Sequence, residues 1–121
     1  MQFDYFYGNE AEQFSFIRIP KLLFTEKFKT LSTDAKVLYG LMLDRLSLST
    51  KNKWVDSDNR VFVYYTLENI MEDLGYGHNK CVALMQELDS IKGIGLIERK
   101  KQGLGRPDMI YVKNFITGNE I

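Results

Sequence analysis

Two apolar-periodic segments separated only by Gly75-Tyr76-Gly77 constrain this chain more than any other feature. Before that turn, Thr66 is a natural cap for a short helix carrying Leu67, Ile70, Met71 and Leu74, and Gly75 suits its stop. After it, Cys81, Leu84, Met85, Leu88 and Ile91 recur at helical spacing and predict a helix over His78–Ile91, broken by Lys92-Gly93-Ile94-Gly95. Two helices joined by so short a glycine-containing turn are a helix-turn-helix. Two β-rich runs close the chain, Leu96–Lys101 and Met109–Lys113, joined by Gln102-Gly103-Leu104-Gly105-Arg106-Pro107-Asp108. A glycine-rich hairpin in that place reads as a wing. The expected fold is therefore α+β, a winged helix-turn-helix.

Upstream, Ser32 is a natural N-cap and Asp34 lies where the helix dipole favours a negative charge. Ala35, Leu38, Tyr39, Met42, Leu43 and Leu46 follow as one buried stripe, and the polar segment Ser47–Lys53 ends the helix. Val61–Tyr65, β-branched and aromatic, reads as a strand. Phe14–Ile19 alternates well enough for a short strand, Pro20 disfavours helix at Ile19, and Lys21–Phe24 suits an apolar helical turn. The expected organisation is one domain over 1–121, with a strand or arm extension over 1–31 and the winged-helix core over 32–113.

With 121 residues, 45% of them apolar, the chain can bury a core and is not intrinsically disordered. Size scaling gives a folded surface of roughly 6,700 Å², about a third of the unfolded chain's. A single cysteine, Cys81, excludes an internal disulfide framework and suits a reducing compartment. No apolar stretch reaches the ~20 residues of a membrane span, and the first residues form no signal peptide, so a cytoplasmic location is expected. Net charge is zero, but its distribution is uneven. Residues 1–75 carry 9 basic and 11 acidic side chains and residues 76–121 carry 7 and 5, with Arg99, Lys100, Lys101 and Arg106 in one short run.

The helix after the turn is the candidate reader of a nucleic acid. If Cys81, Leu84, Met85 and Leu88 face the core, then His78, Asn79, Lys80, Val82, Ala83, Gln86 and Asp89 face outward. Asn79 and Gln86 can pair with base edges, Lys80 suits guanine or phosphate, and Val82 and Ala83 permit close approach to a thymine methyl. The helix N-terminus offers N–H groups to phosphate. An ordinary amphipathic surface helix would show the same pattern. In the wing, Arg99, Lys100, Lys101, Gln102, Gly103 and Arg106 form a cationic hairpin whose glycines allow approach to a phosphate or a minor groove. A solvated hairpin with its edge blunted by lysines is the alternative.

Lys51 and Lys53 make a second basic spot beside Trp54, the only tryptophan, which suits packing better than stacking on a base. Phe3, Tyr5, Phe6 and Tyr7 either pack back on the domain or cover a partner chain. Catalysis finds little support. There is one histidine, Cys81 has no partner for a zinc set, and neither Gly75-Tyr76-Gly77 nor Gly103-Leu104-Gly105 continues into a nucleotide-binding loop. No cofactor or metal is expected, and no enzymatic activity.

With these elements placed, Gln13-Phe14-Ser15-Phe16-Ile17-Arg18-Ile19-Pro20-Lys21-Leu22-Leu23-Phe24 resembles the opening block of the amino-terminal domain of the RepA-type plasmid replication initiators of low-GC Gram-positive bacteria. So do Leu31-Ser32-Thr33-Asp34-Ala35-Lys36-Val37-Leu38-Tyr39-Gly40-Leu41, its continuation through Asp44–Ser49 to Asn52-Lys53-Trp54, the block Gly95–Pro107, and Ile110–Phe115. The resemblance covers about residues 13–116. It implies binding to double-stranded DNA at direct repeats (iterons) of a plasmid origin, commonly within the initiator's own coding region. By position, 78–86 matches the recognition helix and 99–107 the wing. It also implies a homodimer. Host replication machinery would be engaged through a carboxy-terminal domain that this chain does not include. Two rivals remain: a winged-helix transcriptional regulator on an inverted repeat, and a protein-interaction winged helix with no role on DNA.

Overall fold

Ser32 opens the longest element of the computed structural model, which describes residues 2–116. Its hydroxyl accepts the Ala35 N–H at 3.1 Å, and helix α1 runs Thr33–Lys51. That is further than the polar segment after Leu46 predicts. The reason is Ser49, fully buried, whose hydroxyl donates to the Phe62 carbonyl at 2.7 Å and holds the last turn against the following chain. Helix α2, Leu67–Leu74, is capped by Thr66 through the Asn69 N–H and stops at Gly75, which sits at φ 73°.

Helix α3 spans His78–Leu88, three residues shorter than its periodicity predicts. Asp89 turns into extended backbone, so Ile91 lies outside the helix and 84% exposed. The chain then folds back over the helix end. The Gly93 N–H donates to the Asp89 carbonyl and the Ile94 N–H to the Glu87 carbonyl, both at 2.9 Å.

Strands β1 (Ile97–Lys100) and β2 (Met109–Val112) form an antiparallel pair in the register Ile97↔Val112 to Lys100↔Met109. The run 61–65 is not a full strand. It joins this sheet through a single antiparallel bridge, Val63↔Ile110, with hydrogen bonds of 2.8 and 2.9 Å. The three helices and this sheet close over one core that includes Leu38, Tyr39, Met42, Val63, Ile70, Cys81, Leu84, Leu88, Ile97 and Ile110. Each large aliphatic side chain buried there stabilises the fold by about 1.5–3 kcal/mol. Asp56 ties the 55–61 loop to the sheet. It accepts the Asp58 and Arg60 N–H groups, the Arg60 guanidinium and the Tyr111 hydroxyl, each at 2.9 Å. The Arg60 backbone N–H leads the bonds that hold the Asp56 carboxyl at about 2.

The strand expected over Phe14–Ile19 is absent. No neighbouring strand offers those residues a ladder. The extension is anchored where Arg18 and Ile19 cross α1 at Gly40. A Cβ on Gly40 would come within 2.8 Å of the Ile19 side chain and 3.2 Å of the Arg18 carbonyl. Lys21–Phe24 forms a short 3-10 turn that buries Leu23. Upstream of Arg18 little is covered, and the surface of 8,941 Å² exceeds the value that size scaling gives.

Candidate nucleic-acid interface

Helix α3 divides into four sides at 100° per residue. Cys81, Leu84, Met85 and Leu88 face the core. Opposite them lie Asn79, Val82, Ala83 and Gln86, with His78 at the helix start. Asn79 and Ala83 are exposed, Val82 and Gln86 partly so. His78 Nδ1 lies 3.2 Å from Asn79 Oδ1. This stripe matches the outward face expected from the sequence except at Asp89, which is 95% buried beyond the helix.

A third side grips the start of α1. The Ser32 N–H and hydroxyl both donate to the Glu87 carboxylate, at 2.9 and 2.7 Å. Lys80 does not project as a free cation. Its Nζ meets Asp34 Oδ2 at 2.9 Å and lies 4.2 Å from the Tyr76 ring centroid, and the Tyr76 hydroxyl donates to the same carboxylate at 3.0 Å. Lys80 above all, then Tyr76, lowers the Asp34 pKa. The fourth side, Val82 and Met85, borders a groove of about 340 Å³ whose other walls include Leu67 and Glu68 of α2 and Arg99, Pro107 and Asp108 of the wing. Two carboxylates, Glu68 and Asp108, thus lie between α3 and the wing.

The N-terminus of α3 also differs from the other two. Gly77 provides no side-chain cap, so the first amides of α3 are left to solvent or to an anion.

In the wing, Arg99 departs from expectation. Its guanidinium binds Asp89 Oδ2 through Nε at 3.1 Å and one Nη at 2.6 Å, locking the end of α3 to β1. Burial pushes the Asp89 carboxyl up, but the Arg99 bonds override it and leave it below the usual carboxylate range. Gln102 is likewise committed: its amide donates to the Pro107 carbonyl at 2.9 Å and to the Tyr64 hydroxyl at 3.4 Å, bracing the loop. Gly103, at φ 111°, and Gly105, at φ 77°, shape the tip, which the Arg106 N–H closes onto the Gly103 carbonyl at 3.3 Å. Lys100, Lys101 and Arg106 are exposed, and no carboxylate among the described residues pairs with them. Lys51 and Lys53 are also exposed, and Trp54 packs edge-on to Tyr64 with ring centroids 5.1 Å apart. Tyr64 therefore links that second basic spot to the wing brace.

Sequence reasoning missed Glu87 and Asp89 as the anchors of α3, because their partners lie on other elements. It also passed over Leu104 at the wing tip, where an apolar residue between two glycines is a readable signal. The amino-terminal aromatics do not pack back on the domain. Phe3 and Tyr5 are each 82% exposed, and Phe6 touches only Phe14 among the rings, edge-on at 6.1 Å. Among the described residues no helix is long and apolar enough to cross a membrane, and no three metal-ligating side chains cluster.

Residues 15–120 match the family model described as replication initiator protein A (RepA) N-terminus. A "41 kDa protein" of Lactobacillus helveticus is 36% identical over an alignment of 104 residues that covers 80% of this chain and 29% of that protein. The chain therefore spans under a third of that relative's length. Among solved structures, one described as "N-Terminal domain of DNA binding protein" is similar at a TM-score of 0.76 and 34% identity, covering 98% of this chain and 89% of that one. "Structure of Rep-DNA complex" gives 0.74 and 34%, covering 97% and 89%. "Structure of MDR initiator" gives 0.71 and 31%, covering 97% and 92%.

Proposed function

The chain belongs to the family of replication initiator protein A amino-terminal domains, and from that membership we propose that it binds double-stranded DNA sequence-specifically at direct repeats of a plasmid origin. In this reading α3 enters the major groove. Asn79 and Gln86 address base edges, Val82 and Ala83 sit close enough for a thymine methyl, and His78 with the uncapped helix start meets phosphate. Lys100, Lys101 and Arg106 hold the backbone or the adjacent minor groove, with Lys51 and Lys53 as outer phosphate contacts. Arg99, Gln102 and Gly103 shape the wing rather than touch DNA, and Lys80 reaches phosphate only by leaving Asp34.

One observation carries the reading: α3 leaves Asn79, Val82, Ala83 and Gln86 on its side away from the core, and the wing leaves Lys100, Lys101 and Arg106 exposed with no carboxylate partner among the described residues. The similar structure solved as a Rep–DNA complex supports it. The role is binding rather than catalysis, in the cytoplasm. It is exercised as a homodimer, for which the exposed aromatics of residues 3–16 supply apolar surface. Initiation itself would draw on a further domain that meets the host machinery.

Substitution separates the two parts of the interface. Asn79→Ala and Gln86→Ala should each cost about 1–3 kcal/mol on the preferred sequence and little on scrambled duplex. Arg106→Ala should weaken both alike and reduce the salt slope by about one. Anisotropy titrations on both duplexes at two salt concentrations measure this. Equal losses from Asn79→Ala on the two duplexes would contradict base readout by α3.

A further inference from the structure

Leu104 is fully exposed in the turn that joins β1 to β2. Its neighbours Gly103 and Gly105 both take positive φ, and a Cβ on either would meet nothing within 4 Å. Those glycines therefore serve the backbone path of the tip and not close packing. The tip is not slack, since the Gln102 amide spans it to Pro107 and reaches Tyr64 below. A braced projection thus holds an aliphatic side chain out into water, forgoing the free energy of its burial. Exposed leucines on flat surface are ordinary. This one has Lys101 and Arg106 within three residues, both exposed and with no carboxylate partner among the described residues. Cations around an apolar point suit neither a hydrophobic protein pocket nor plain phosphate contact. They suit a minor groove, whose walls are phosphate and whose floor is stacked bases.

Resting on the reading that this domain binds duplex DNA, we propose that Leu104 is a wedge that partly unstacks one base step when the wing enters the minor groove. Arg106 and Lys101 hold the flanking phosphates while the leucine presses on the step. The cost of opening is least at flexible pyrimidine–purine steps, so Leu104 determines specificity by deformability rather than by hydrogen bonds to base edges.

The test uses duplexes that the wild-type domain enriches from a randomised pool, with 2-aminopurine placed at successive steps. Wild type and Leu104→Met should raise the fluorescence of one position, and Leu104→Ala should not. Leu104→Ala should also bind the enriched duplex roughly tenfold more weakly, with no change on a duplex whose flexible step is replaced by a stiff A-tract step. Its melting temperature should equal that of wild type, because the side chain packs against nothing. Unstacking by Leu104→Ala equal to wild type would overturn the wedge, as would tight wild-type binding with every probe dark. A wild-type domain that enriches no duplex would remove the DNA reading and the wedge together, which separates the two failures.

Discussion

A methyl group added at Gly93 would stand 2.1 Å from the Glu87 carbonyl oxygen and 2.2 Å from that of Gln86. Neither can retreat, because both belong to the last turn of α3 and the chain folds back over them through the Gly93 and Ile94 amides. Gly93→Ala should therefore destabilise the domain by about 2–3 kcal/mol, at the upper end of overpacking costs, read as a lower urea midpoint at unchanged slope. A midpoint equal to wild type would mean that the turn after α3 is not held as described. Side chains at the interface were less legible than this backbone constraint. Lys80 and Arg99 read as free cations because their partners, Asp34 and Asp89, lie beyond the local pattern. Asp34 is on another helix, and Asp89 is freed from α3 only because the helix ends one residue earlier. Arg106, Lys100 and Lys101 read correctly as exposed, and neither acid of the hairpin pairs with them: Glu98 meets Lys113 and Asp108 borders the groove.

At the scale of elements, α3 is clamped on two flanks. The Ser32–Glu87 and Asp34–Lys80 contacts join it to α1, and Asp89–Arg99 joins its end to β1. Three carboxylates, Asp34, Asp56 and Asp89, have pKa values below the ordinary 3.8 in the folded state. The unfolded chain therefore binds protons more readily there. The stability these groups contribute is present above about pH 4 and is lost as the pH falls through their folded values. For Asp56, held at about 2, the loss extends from about pH 4 down to about 2. Urea midpoints measured across that range should fall steadily, and Asp56→Asn should flatten part of the fall; an unaltered profile would contradict the role given to Asp56. The helices themselves were legible from apolar spacing and caps. Phe14–Ile19 alternates like a strand, yet alternation specifies only a face, and a strand exists only where a neighbour completes its hydrogen bonds. None does here. Val61–Tyr65 kept two single bridges, Val61 to Val55 and Val63 to Ile110.

On the scale of the whole molecule, the compact body ends where Ile19 crosses Gly40, and the aromatic residues upstream of it remain in solvent. Deleting residues 2–17 should leave the melting temperature near that of the full chain, since Leu23, Phe28 and the core lie downstream, while shifting sedimentation from dimer to monomer. A dimer that persists would place the self-association surface elsewhere. DNA binding is the claim to which every part contributes: the free stripe of α3, the braced wing and the arm through which we propose the homodimer forms. The most direct measurement is anisotropy of this domain on two duplexes at two salt concentrations. One duplex carries direct repeats from the initiator's own coding region, and the other the same bases scrambled. Tight binding to the repeats that survives the higher salt, with weak and salt-erased binding to the scrambled duplex, is the predicted result. Equal affinity for both, lost together as salt rises, would contradict sequence-specific recognition and leave only a basic hairpin on a neutral domain.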